Sequence, residues 1–140
     1  MGISKYNCEG YSDPTAYEAV RSIEKETKKW RPLVYICSAY SGDVESNTEK
    51  ARRYCRFAVD KGAIPLAAHL LFPQFMSDTT ERDLALHMDM VLMGKCEEMW
   101  VFGENFSSGM TAEINKAKQR RKTIRYFTEK CQEISCKEDK

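Results

Sequence analysis

Met99 to Phe102 is a run of four apolar residues that gives way to a loop bearing Gly103, Ser107, Ser108 and Gly109. An amphipathic segment follows, with Glu113 in its expected opening turn. The whole stretch, Glu98 to Ile114 (EMWVFGENFSSGMTAEI), reads as a buried parallel strand, a ligand loop and a helix start. A buried parallel strand needs helices to cover it, so this stretch alone narrows the fold to the α/β class. In open α/β sheets, ligands sit just past the carboxyl ends of strands, near helix N-termini. Glu113 is therefore the first candidate for chemistry.

The rest of the chain repeats the alternation. Leu33 to Cys37 (LVYIC) is a continuous run of strand formers, followed by the small-residue loop SAYSGD at 38–43. A helix is predicted from Glu45 to Lys61, with Val44, Ala51, Tyr54, Cys55 and Ala58 sharing a face and Gly62 as its stop. Ala63 to Ala68 is the second strand, and Pro65 within it marks an edge position. His69 to Phe75 reads as an aromatic-rich loop. Asp78 and Thr79 are positioned to cap a third helix, Thr80 to Lys95, whose apolar face is Leu84, Met88, Val91 and Leu92. A fourth helix, Gly109 to Arg120, turns Ile114 and Ala117 inward, and Thr123 to Phe127 is the fourth strand. Thr128 to Lys140 reads as a short helix or a tail. Ahead of the first strand, Asp13 as N-cap and Pro14 as first helical residue start a helix that runs to Trp30. Right-handed crossovers then build a three-layer parallel α/β domain over 32–128, with an N-terminal extension at 1–31 and a C-terminal tail at 129–140.

Length and charge narrow the function classes. The 140 residues suit one hydrophobic core. Twenty-two basic and 21 acidic residues leave a net charge of +1, which gives no global pull toward nucleic acid or an anionic membrane. No segment approaches the roughly 18 apolar residues of a membrane span, and the N-terminus lacks the apolar core of a signal peptide. Six scattered cysteines form no CxxC pair and suit reduced thiols in a cytoplasmic protein. No metal site and no cofactor are expected.

Three strand-to-helix loops should meet at one edge of the sheet. The first brings Tyr35, Ser38, Tyr40, Ser41 and Gly42, and the second brings His69, Phe72 and Phe75. The third brings Ser107, Ser108, Gly109 and Glu113, while Asp89 can lean in from the helix that feeds the third strand. Aromatics suit a base, and hydroxyls with carboxylates suit a sugar. The helix dipole would keep Glu113 ionised, and an ionised Glu is a competent nucleophile toward an anomeric carbon. A second carboxyl of raised pKa would protonate the leaving group, the recurring division of labour in glycoside cleavage. Each residue also has a structural reading: Ser107 and Ser108 as helix caps, Phe72 and Phe75 as packing, Tyr35 as core.

YICSAYSG after the first strand, the Asp on the later helix and WVFGENFSSGMTAEI together resemble the nucleoside 2-deoxyribosyltransferase-like superfamily over about Leu33 to Phe127. Asp89, Ser107 and Glu113 fall in the order and at the intervals of that family. The resemblance implies a flavodoxin-like, Rossmann-like sheet of order 2-1-3-4, often with a fifth strand, and a homodimer or larger homo-oligomer. It implies cleavage or exchange of the N-glycosidic bond of a (deoxy)nucleoside or its monophosphate, with Glu113 as nucleophile. Asp89 would bind the sugar or assist proton transfer, and Tyr35 would orient the glutamate or the sugar. Ser107 and the Ser108-Gly109 backbone would cradle the sugar's 5' end or a phosphate. The Arg that monophosphate-preferring members place in the first loop is absent from SAYSGD. Two other classes stand beside this enzyme: a nucleotide-binding or sensing domain without turnover, and an assembly protein with a vestigial cleft.

Overall fold

The computed structural model describes residues 14–27 and 30–134. The chain divides into two units, 1–31 and 32–140. In the first, α1 (Pro14–Thr27) ends before the predicted stop at Trp30. Asp13, Lys28 and Lys29, with the rest of 1–13, lie outside the described residues. Within α1, the Arg21 guanidinium lies 6.0 Å from the Tyr17 ring centre, one helical turn away.

The second unit is the α/β domain. Its strands are β1 (Leu33–Cys37), β2 (Ile64–Leu66), β3 (Glu98–Phe102), β4 (Thr123–Phe127) and β5 (Glu133–Ile134). Their order is β2-β1-β3-β4-β5; all pairs are parallel except β4 with β5. The predicted parallel order is thus present, with a fifth strand at the edge.

Alternation along β1 and β3 divides the core into two layers. Tyr35, Cys37, Met99 and Val101 face α4 (Arg82–Lys95) and α5 (Ser108–Gln119), where Met93, Met110, Ile114 and Ala117 pack. Val34, Ile36, Trp100 and Phe102 face the opposite way, onto Tyr54 and Ala58 of α2 (Val44–Asp60). This period-2 sorting is what a strand covered on both faces requires. Asp43 caps α2 by accepting from the Ser46 amide at 3.2 Å, and Gly62 follows its end at φ +87°.

Several expected boundaries move. The predicted aromatic loop is instead a four-residue helix, α3 (Ala68–Leu71), and a 3-10 turn, Phe72–Gln74. Asp78 and Thr79 do not cap α4. Glu81 holds that position without a side-chain cap bond, and Ser77 instead closes the turn ahead of the helix: its hydroxyl accepts from the Thr79 and Thr80 amides, and its own amide donates to the Glu81 carboxylate. The predicted apolar face of α4 is also rotated, because Leu84 and Val91 are exposed while Asp89 and Met93 are buried. A helix with Leu, Met and Val on nearly every side gives periodicity no clear face. Of 128–140, expected as a helix or tail, Glu133 and Ile134 join the sheet beside Phe127 and Tyr126. Arg125 clamps this strand through two bonds to Glu133, at 2.8 and 2.7 Å. Among the described residues no helix is long and apolar enough to cross a membrane, and Cys37, Cys55, Cys96 and Cys131 are free thiols.

Candidate active site

The β1–α2 and β3–α5 loops, the α3 segment and α4 enclose a cleft of about 200 Å³ beyond the carboxyl ends of β1 and β3. This is the position at which an open parallel sheet admits a ligand. Ser107 caps α5 by accepting from the Met110 amide at 3.2 Å. The helix therefore begins at Ser108, and Glu113 lies in its second turn rather than its first. From there it points inward with Met110, Ile114 and Ala117, and only 2% of it is exposed.

That placement reverses the charge expectation for Glu113. Burial outweighs any help from the helix dipole and lifts its carboxyl from 4.5 to about 7. The Tyr35 hydrogen bond and the neighbouring Cys37 thiol oppose the rise, and the nearby Asp89 charge adds to it. The Tyr35 hydroxyl donates to Glu113 Oε2 at 2.8 Å across the sheet-to-helix interface. Glu113 Oε1 is buried without a protein partner. Asp89, one turn before Met93 on α4, is 5% exposed and also holds a buried, unpartnered oxygen, Oδ1. Burial lifts Asp89 from 3.8 to about 6. Two carboxyls with values this close titrate as a pair, and near neutral pH the pair holds about one proton. Glu113, raised further than Asp89, holds that proton for most of the time in the free protein; the reverse form, with Glu113 ionised and Asp89 protonated, is the minor one that the Tyr35 hydrogen bond supports.

The expected site residues gather unevenly. Tyr40, Ser41, Gly42, His69, Phe72, Asp89, Ser107, Ser108, Gly109 and Glu113 all line the cleft. Tyr35 does not reach it and acts on Glu113 from the core side. Ser38 is buried, its hydroxyl unpartnered, and lines a separate crevice of about 30 Å³ with Asn47, Lys50 and Asn105. Strand alternation explains this: Ser38 follows Cys37, whose side chain already points to the cleft side of the sheet. Phe75 is also outside the cleft, exposed and set edge-on against Phe72 at 6.2 Å. His69 stacks on Tyr40 at 5.0 Å, and the Tyr40 hydroxyl donates to Asp78 at 3.4 Å. Burial lowers the His69 pKa against the opposing pull of the Ser38 backbone and the Asp78 charge. The cleft wall of this segment is thus an uncharged imidazole stacked on a phenol ring.

Met76, Ser77, Asp78, Arg82, Ala85 and Leu86 also line the cleft, and sequence reasoning missed them, as it missed Cys37 near Glu113. One signal was available for α4. Arg82, Ala85, Leu86 and Asp89 stand at i, i+3, i+4 and i+7, a single helical face projected back from the aspartate. The segment 76–78 carries no such pattern and is brought in by the α3 turn.

Chemically the cleft offers two carboxyls that share a proton, unpaired acceptor atoms on each, a helix N-terminus with two hydroxyls, and a flat aromatic wall. No curated protein matches the chain. Residues 32–127 match the family model described as a domain of unknown function, DUF7768. That span holds every strand of the parallel part of the sheet together with Asp89 and Glu113, and the chain belongs to the DUF7768 family.

Proposed function

We propose that the protein cleaves or exchanges the N-glycosidic bond of a (deoxy)nucleoside or nucleoside monophosphate, using Glu113 as nucleophile. The observation that carries the reading is that Glu113 and Asp89 share one cleft, each buried and each with an oxygen no protein group satisfies. Buried acceptors without partners are costly unless a ligand supplies donors, and sugar hydroxyls are such donors. The resemblance to the nucleoside 2-deoxyribosyltransferase-like superfamily assigns the same two residues the same roles. In this reading Glu113 Oε1 forms a bond to the anomeric carbon as the bond from that carbon to the base nitrogen breaks. The electron pair leaves with the base, which takes its proton from Asp89. Water or a second base then attacks the anomeric carbon of the glycosyl ester, and Glu113 departs as carboxylate. Tyr35 fixes the orientation of Glu113 by holding its other oxygen. The Tyr40, His69 and Phe72 rings offer surfaces for the base, and the start of α5 at Ser107 to Gly109 offers backbone and hydroxyl donors to the sugar's 5' end. The exposed Leu84 and Val91 on α4 support assembly into a homo-oligomer.

The test is a panel of nucleosides and monophosphates, ribo and deoxy, each incubated with and without an acceptor base. Free base or exchanged nucleoside, lost in Glu113→Ala, is the expected result. Turnover that persists in Glu113→Ala refutes the mechanism. Thermal stabilisation by nucleotides without any product selects the binding or sensing class instead.

A further inference from the structure

The strands that α4 and α5 connect are parallel, so the two helices run in the same direction and both begin at the carboxyl edge of the sheet, where the cleft opens. They also pack on the same face of it. Each helix carries its carboxyl below its start. Asp89 comes seven residues after Arg82, the first residue of α4, or about 10 Å along the axis; Glu113 comes five after Ser108, or about 7–8 Å. Arg82 lines the cleft on the same α4 face as Asp89. It is the one Lys or Arg to do so among the described residues, against three carboxyls, Asp78, Asp89 and Glu113. Even so, its guanidinium has no ion pair or hydrogen bond among the described residues. Asp78 is engaged instead by the Tyr40 hydroxyl at 3.4 Å. On α5, the Ser107 hydroxyl and carbonyl take the Met110 and Thr111 amides. The Ser108 and Gly109 amides, the first two of the helix, are left without an acceptor among the described residues. A Cβ built on Gly109 would meet nothing nearer than 4.0 Å, so the approach to those amides is open.

Among the described residues, then, the mouth of the cleft holds an unpaired guanidinium and two open amides, above two buried acid oxygens that lack partners. That order describes a ligand with an anionic head and a hydroxyl-bearing body, as in a sugar phosphate. We propose that Arg82 is the specificity-determining residue of the cleft, selecting a nucleoside 5'-monophosphate over the nucleoside by pairing with its phosphate beside the Ser108 and Gly109 amides. The inference rests on the reading that Glu113 and Asp89 hold the sugar. The loop after β1, SAYSGD, holds no Lys or Arg, so the cation comes from α4. The planar fork of an arginine meets two phosphate oxygens at once, and the α5 amides take a third. The unpaired state of Arg82 is part of its role, because a guanidinium committed to Asp78 or Asp89 would have to break that pair before it could bind. The acids decide what happens without it. With Arg82 removed, a phosphate would enter a cleft that has three carboxyls and, among the described residues, no Lys or Arg. Like charge disfavours that entry, and an uncharged nucleoside meets no such penalty.

The test is binding, measured by isothermal titration calorimetry in the Glu113→Gln protein, which should hold a nucleotide without consuming it. The ligands are the common ribo- and deoxynucleosides, each with its 5'-monophosphate, and inorganic phosphate. In the pair that binds best, the monophosphate should bind about 10- to 100-fold tighter than the nucleoside, the range of one charge-assisted contact. Inorganic phosphate should bind more weakly than the monophosphate. Adding Arg82→Ala should erase the preference and leave the nucleoside affinity unchanged; Arg82→Lys, which keeps the charge without the fork, should keep part of it. Arg52→Ala removes the same charge from an exposed site outside the cleft and should leave the preference as it was. Equal affinity for nucleoside and monophosphate, a preference that survives Arg82→Ala, or one lost equally in Arg52→Ala overturns the inference and leaves the reading of the two carboxyls standing. Inorganic phosphate that binds as tightly as the monophosphate also overturns it, since the sugar would then play no part. Binding of none of these ligands overturns both.

Discussion

Glu113→Gln should make the protein more stable at pH 8 while abolishing the proposed activity. The replacement has the same shape, keeps an oxygen to accept from Tyr35, and places an amide where the unpartnered oxygen stood, facing the Asp89 charge. The magnitude follows from linkage. An unfolded Glu titrates near its ordinary value of 4.5, whereas in the folded protein burial holds it at about 7. Between those values the folded state keeps a proton that the unfolded state has released. Stability due to this group therefore falls as pH rises from 4.5 to 7, and the penalty is complete above 7. The gap corresponds to about 3 kcal/mol. Water entering the cleft and local relaxation reduce the measured effect to roughly 1.5–3 kcal/mol. For a chain of this size that is about 5–10 °C in Tm. Asp89 remains in both proteins, so its own titration largely cancels in the difference. Urea unfolding of both proteins at pH 4.5 and pH 8 provides the assay, with the gain expected at pH 8 and close to zero at pH 4.5. A variant no more stable than the wild type at pH 8, or a gain of equal size at both pH values, would refute the argument that desolvated charge is the cause.

Tyr35→Phe removes the hydroxyl that donates to Glu113 and keeps the ring in the core. It should cost about 1–3 kcal/mol at pH 8 and less at pH 4.5, where the acceptor is protonated; turnover should fall about 10- to 100-fold with KM little changed, as read by steady-state kinetics. Asp89→Asn removes the group assigned to protonate the leaving base. Turnover of ordinary nucleosides should drop about 100-fold or more, while a 7-methylated purine nucleoside, whose base leaves without protonation, should be nearly spared; equal losses for both substrates would remove Asp89 from that role. Ser107→Ala deletes the cap that accepts from the Met110 amide and should lower stability by about 1 kcal/mol in urea unfolding.

The parallel core of the fold was legible because β1, β3 and β4 are near-continuous runs of strand formers, each bounded by polar or small residues. That pattern has few readings other than buried strands between helices. Elements held by single contacts were not legible. β5 has two residues and is held by the Arg125–Glu133 clamp, which leaves no periodicity to detect. α3 is one turn long, too short to show a helical period. α4 defeated the same method from the other side, since apolar residues surround it and the true inward positions are set by Asp89 and Met93.

The site was legible as a set of positions and illegible as an electrostatic state. Chain order placed Asp89, Ser107 and Glu113 at one edge of the sheet, and all three line the cleft. The ionisation of Glu113 could not be read the same way, because it depends on whether the helix starts at Ser108 and on how much water the second turn keeps. Those facts come from packing, and packing turns a dipole-stabilised surface glutamate into a buried acid at about 7. A core built for stability alone would place Gln, Met or Leu at 113, where Met110, Ile114 and Ala117 already form an apolar face. A carboxyl there weakens the fold at neutral pH, and a second carboxyl beside it at Asp89 adds to the strain. Both leave one oxygen unsatisfied, and both belong to the same cleft. Two buried acids whose missing partners would have to come from the same space are the arrangement expected of a site that binds hydroxyl donors.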